Sequence, residues 1–162
     1  MEEQVTAEEI NKRELERIFA KFNDQFGELP DYLVLPHIKE RFKDMGLTFD
    51  VTRNGTTIND AQDRYNGVDI DLMLENKDFA IAIEVRDETS QEGVDRHMER
   101  MAVLRRSADR KKDKRKFYGA MAGAIMTDEV KTYAQKQGFY TIIQTGDTVK
   151  IDIPDGFVPK NW

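Results

Sequence analysis

The chain has 162 residues, a formal net charge of -6, 35% charged residues and no cysteine. That length suits one domain with a core of its own. The lack of cysteine excludes disulfides and thiolate metal sites, and with only His37 and His97 present a histidine-rich zinc site is disfavoured. No apolar run approaches a membrane span, and the opening MEEQVTAEEI is acidic where a secretory signal is basic and then apolar, so a soluble cytoplasmic protein without membrane contact is expected.

Residues 6–26 read as an amphipathic helix. Thr6 and Glu9 match a capping box, and Ile10, Leu15, Ile18, Phe19, Phe22 and Phe26 recur at spacings of mostly three and four, a stripe suited to packing on the main domain. Gly27 and Pro30 break it, which divides the chain into an amino-terminal helix (1–28) and a main domain (29–162). A second helix is expected from about Asp31 to Met45, with Leu35, Ile38, Phe42 and Met45 inward and Gly46 as its stop. Glu40 sits there between Lys39 and Lys43, as an ordinary solvated residue would. From Leu47 to Ile58 the text alternates and passes through Asn54-Gly55, a strong hairpin signal, so a strand, a tight turn and a shorter strand are expected. Residues 59–67 read as a polar loop.

The stretch VDIDLMLENKDFAIAIEVR, residues 68–86, is the centre of the chain. It reads as two apolar strands joined by a polar turn, Glu75-Asn76-Lys77-Asp78. Alternation puts Ile70, Leu72 and Leu74 on one face of the first strand and Asp69, Asp71 and Met73 on the other. In the second strand Phe79, Ile81, Ile83 and Val85 share one face, and Ala80, Ala82, Glu84 and Arg86 the opposite one. A carboxylate held in so apolar a sheet costs several kcal/mol unless it is paired or binds a cation. Something positive therefore belongs near Asp71 and Glu84: a basic side chain such as Arg86, or a divalent metal held by oxygens from two adjacent strands.

A helix follows from about Gln91 or Glu92 to Arg110, with Val94, Met98, Met101, Leu104 and Ala108 inward, His97 beside that stripe, and Arg100, Arg105 and Arg106 largely away from it. From Arg100 to Lys116 there are nine Lys or Arg against two Asp, a local charge of +7 that leaves -13 for the remainder. Clusters of this kind attract phosphate whatever the net charge, and the segment DRKKDKRK, residues 109–116, also suits a solvated loop. FYGAMAGAIM, residues 117–126, reads as a buried strand rich in small residues. Thr127 caps a short helix through Gln137 that Gly138 ends, and a last hairpin, FYTIIQ with TVKIDI, turns at Thr145-Gly146-Asp147. The segment from Pro154 to Trp162 is aperiodic and is expected to lie over the surface, anchored by Phe157 or Trp162. The whole describes an α/β domain with a mixed sheet flanked by helices.

Asp71, then twelve residues, then Glu84-Val85-Arg86 resembles the core motif of the PD-(D/E)XK nuclease superfamily, an Asp followed by Asp or Glu, any residue and Lys on the next strand. GVDIDLMLEN with AIAIEV, followed by a helix and a basic segment, is similar to nuclease-like domains of bacterial proteins in which the domain often follows a coiled coil. The resemblance runs from about Leu29 to Trp162. It implies a restriction-endonuclease-like fold, an αβββαβ core carrying here an extra amino-terminal helix. It further implies that Asp71 and Glu84 bind Mg2+ or Mn2+ with the backbone carbonyl of Val85, and that Asp69 and Glu40 are further candidate ligands. The amino-terminal stripe then becomes a candidate coiled-coil end or homodimer seam, although phenylalanines are bulky for that use. In such nucleases the helix after the central strands flanks the active site, which makes His97 a candidate neighbour of the metal or the phosphate.

The departure from the motif is Arg86. Lysine can orient or deprotonate the attacking water, whereas arginine keeps its proton and can stabilise negative charge or position a phosphate. The expected function is a metal-dependent nuclease hydrolysing DNA, with DNA favoured over RNA. Asp71, Glu84 and Arg86 would be at its centre, and Arg105, Arg106, Arg110, Lys111, Lys112, Lys114, Arg115 and Lys116 on the nucleic-acid backbone, next to that centre. The alternative is a catalytically inactive nuclease-fold module for nucleic-acid binding or protein assembly, in which Arg86 pairs with the carboxylates and fills the metal's place.

Overall fold

The computed structural model describes residues 31–59, 67–146 and 148–162. The expected helix at 6–26, the break at Gly27 and Pro30, and the loop carrying Arg64 fall outside them. The elements are α1 (Asp31–Asp44), β1 (Val51–Asn59), β2 (Gly67–Glu75), β3 (Phe79–Glu88), α2 (Gln91–Arg110), β4 (Lys116–Ile125), α3 (Asp128–Lys136), β5 (Tyr140–Thr145) and β6 (Thr148–Asp152). Among the described residues no helix is long and apolar enough to cross a membrane.

The six strands form one mixed sheet in chain order, β1 to β6. β1, β2 and β3 are antiparallel neighbours, β3, β4 and β5 run parallel, and β6 returns antiparallel to β5. The parallel pairs require crossovers, and α2 and α3 supply them. α1 lies on one face, where Leu35, Ile38 and Phe42 meet Leu72, Leu74, Ile81, Ile83, Val85 and residues of β4 to β6. α2 and α3 cover the other face, where Val94, Met101, Leu104, Ala108 and Ala134 pack on Met73, Ala80, Ala82, Phe117 and Met121. The segment after β6 is anchored at two points, with Phe157 against Tyr140 and Trp162 stacked on Phe139.

The Asn54-Gly55 signal does not make a hairpin. β1 runs unbroken past Gly55, and its register with β2 is the same on both sides, Asn54↔Leu72 and Thr56↔Ile70, so Gly55 stands across from Asp71. Gly55 has φ 65°, a conformation glycine adopts without strain, and the strand uses it to change phase. Leu72 and Leu74 belong to the core under α1, whereas Ile70 and Val68 belong to the core under α2. The face assigned to Ile70 by simple alternation is therefore wrong. Glu75 is also no turn residue: it is the last residue of β2, opposite Ala80, and is buried.

The three helices end alike, with the amide two residues past the last turn reaching back to a carbonyl: Leu47 to Phe42, Asp113 to Ala108 and Phe139 to Ala134. This ending places one residue in the left-handed region. Gly46 (φ 86°) and Gly138 (φ 89°) fill that position in α1 and α3, but in α2 it is Lys112, at φ 58°. A side chain there costs about 1 kcal/mol. Lys112→Gly is expected to raise unfolding stability by about that amount, seen as a higher urea midpoint with an unchanged slope.

Candidate functional site

The β2–β3 ladder runs from Glu75↔Ala80 to Leu72↔Ile83 and stops one step short of the two carboxylates. There Asp71 Oδ2 accepts a hydrogen bond from the backbone N–H of Val85 at 2.9 Å, so a side chain takes the place of a ladder carbonyl. Glu84 lies on the α2 side of β3 and is 2% exposed. Its Oε2 accepts a hydrogen bond from Arg100 Nη1 of α2 at 2.6 Å.

Arg86 reaches back over this pair. Its Nη1 donates to the Val85 carbonyl at 3.0 Å and stands 3.5 Å from Asp71 Oδ2, while Nη2 is 2.7 Å from Glu84 Oε1. The last contact is a short ion pair without hydrogen-bond alignment, which leaves Oε1 buried with no donor aimed at it. Two carboxylates and two guanidinium groups thus cancel in charge. Burial nevertheless pushes the Glu84 pKa above its ordinary value, outweighing the pull of Arg100 and Arg86 in the other direction.

His97, one turn before Arg100, is fully buried. Its Nε2 donates to the Ala82 carbonyl at 2.9 Å, which leaves Nδ1 without a hydrogen and 4.0 Å from Glu84 Oε2. The ring packs 5.1 Å from Phe139, and burial lowers its pKa to about 4. His97 is a neutral packing residue beneath the carboxylate and has no path to water.

The oxygens that the nuclease resemblance assigns to a metal, Asp71 Oδ2, Glu84 Oε1 and Val85 O, are the three that one guanidinium touches. A divalent ion fits this set poorly, because Arg86 stands on all three oxygens and, among the described residues, no further carboxylate joins them. Among the described residues no three His, Cys, Asp or Glu side chains converge. Asp69 is exposed and accepts a hydrogen bond from Thr57 on β1, directed away from β3. Glu40 is exposed beside Arg41 on α1, across the sheet from Glu84.

Of the basic cluster only Arg100 reaches this centre, and the run at 109–116 is not adjacent to it. Lys116 pairs with Phe79 at the start of β3, and five residue steps along the strand, about 17 Å, separate Phe79 from Glu84. Arg115 is held by Asp113 and by the buried Glu75, and Arg53 holds Glu75 from the other side. Arg105 donates to the carbonyls of Trp162 and Arg115 and lies over Phe117. Those two arginines are structural ties. Arg106 is half-buried, and Arg110, Lys111, Lys112, Lys114 and Lys116 are exposed.

Sequence reasoning missed Arg100 and Glu75. Arg100 lies one turn after His97, on the flank of the helix stripe that meets Glu84, and the demand for a cation near that carboxylate could have pointed to it. Glu75 carried no signal beyond its place at the end of an apolar strand. Comparison with family models, curated proteins and solved structures finds no match to this chain.

Proposed function

We propose that the chain is a nucleic-acid-binding module on a restriction-endonuclease-like domain, with Arg86 standing where that superfamily holds its catalytic metal and with hydrolysis silent. The observation that carries this reading is the contact of one guanidinium with Asp71, Glu84 and the Val85 carbonyl together. Arginine cannot act as a base at ordinary pH, and Arg100 already takes the other oxygen of Glu84. What is left is a charge-balanced site whose metal-facing oxygens are covered by Arg86, on a domain that carries a separate basic run. Hydrolysis of DNA with Mg2+ or Mn2+ is the second reading, and the buried Glu84 Oε1 without an aligned donor favours it.

Thermal unfolding with and without Mn2+ separates the two. The wild type is expected to show no shift, whereas Arg86→Ala, which frees the three oxygens, is expected to rise by several degrees; a ligand at a hundredfold excess over its Kd adds about 2.7 kcal/mol. Wild-type cleavage of labelled DNA that requires metal and disappears in Glu84→Ala would overturn the silent reading and establish the enzyme. Silence in the wild type with cleavage by Arg86→Lys would mean an intact metal site that lacks only its lysine.

A further inference from the structure

A groove of about 350 Å³ runs between the edge strand β1 and the C-terminal half of α2. Its apolar floor is the half-buried Ile58 above the buried Met73, Leu104 and Phe117; Thr56, Thr57 and Lys111 border it, with the buried Ser107 and with Asp113, which is paired to Arg115. Past Thr57 it continues into a second space of about 340 Å³, bordered by Asn59 and Arg110. At the other end the groove is closed by Arg53 and Arg115 on the buried Glu75, so those two charges are already spent.

Arg110 and Lys111 are different. Both are exposed, and neither side chain has a hydrogen bond or ion pair to another described residue. Lys112, next to them, keeps a cationic side chain at the left-handed position where the other two helices use glycine. The cations also offset the negative end of the α2 dipole, which alone would account for their charge but not for the groove beside them.

We infer that this groove binds single-stranded nucleic acid, with a base on the apolar floor and the flanking phosphates on Arg110, Lys111 and the rim hydroxyls. The inference rests on the nucleic-acid reading above and names where the strand lies. A duplex keeps its bases stacked inside and offers the groove only phosphates, whereas a single strand can lay an unstacked base on Ile58. The groove is also distinct from the Asp71–Glu84 centre, so the strand binds without metal.

The test is fluorescence anisotropy of the full chain in EDTA, with a labelled 20-nucleotide single strand and the matching duplex as probes. The wild type is expected to hold the strand more tightly than the duplex. Arg110→Glu with Lys111→Glu is expected to weaken strand binding tenfold or more and to flatten the salt dependence by about 1.4 in log–log slope, the release from two phosphates. Ile58→Thr, conservative for a strand, is expected to weaken the single strand several-fold and leave the duplex unchanged. Lys39→Glu with Lys43→Glu, across the sheet on α1, is expected to change affinity less than twofold. If the wild type binds the strand and the Arg110/Lys111 variant binds equally well, the groove assignment fails while nucleic-acid binding stands. Equal affinity for strand and duplex overturns the single-strand assignment. Binding of neither probe by the wild type overturns both.

Discussion

Arg100→Met is expected to destabilise the protein by about 3 kcal/mol at pH 7, the cost of leaving a buried carboxylate without its partner. Glu84 is 2% exposed, and its Oε2 depends on Arg100 Nη1 at 2.6 Å. Arg86 is close to Oε1 but badly aligned, so it softens the loss without replacing the bond. Adding Glu84→Gln to Arg100→Met is expected to recover much of the stability, because a neutral amide needs no counter-charge. The single variant should also lose less at pH 5 than at pH 7, since a protonated Glu84 no longer calls for a cation. Urea unfolding of the wild type, both singles and the double at the two pH values measures all of this. Simple additivity, with the double no better than the sum of the singles, would show that the pair is not coupled.

Acid is expected to unfold the protein through His97. Its ordinary pKa of 6.5 falls to about 4 in the folded state because the ring is wholly buried. Between those values the unfolded chain binds a proton that the folded protein refuses. The stability contributed by the neutral ring is therefore complete above 6.5 and lost as pH falls toward 4, about 3 kcal/mol in all. Glu84 acts with the opposite sign. Its raised pKa means the folded state holds a proton the unfolded chain has released, so its contribution is greatest below 4.5 and fades as pH rises through its folded value. His97→Gln can keep the donor to the Ala82 carbonyl while removing the titration. Unfolding midpoints taken from pH 7 to 4 should fall more steeply for the wild type than for that variant. Parallel profiles would mean that the imidazole does not govern acid stability.

Most of the framework was legible because local signals and burial agreed. α2 begins and ends where its apolar stripe and the residues around it indicated, and α3 lies between the Thr127 cap and Gly138 as read. The strand at 117–126 and the last hairpin fall within one residue of the expected bounds. Asn54-Gly55 misled because the dipeptide reports a backbone conformation and not a turn. The φ of 65° is present at Gly55, but pairing with β2 on both sides holds the strand extended. At the site, the strand pattern pointed to a cation on Asp71 and Glu84 and left it open between a basic side chain such as Arg86 and a divalent metal. The second cation comes from a helix sixteen residues further on, and no strand pattern encodes that meeting. The basic run was misplaced for the same reason. Nearness to Glu84 in sequence said nothing of α2 turning the chain back toward the start of β3.

The change of phase at Gly55 and Asp71 gives the β1–β2 ribbon an unusual division of labour. On one side of the change the ribbon feeds both layers, Leu72 and Leu74 under α1 and Met73 under α2, and on the other side its apolar residues Ile70 and Val68 go to the α2 layer, so it fastens the two layers together as a clasp would. At the crossover a side chain belongs to neither layer, and position 71 can be polar without opening a hole in either core. The fold thus sets aside a place for a charge within an apolar sheet.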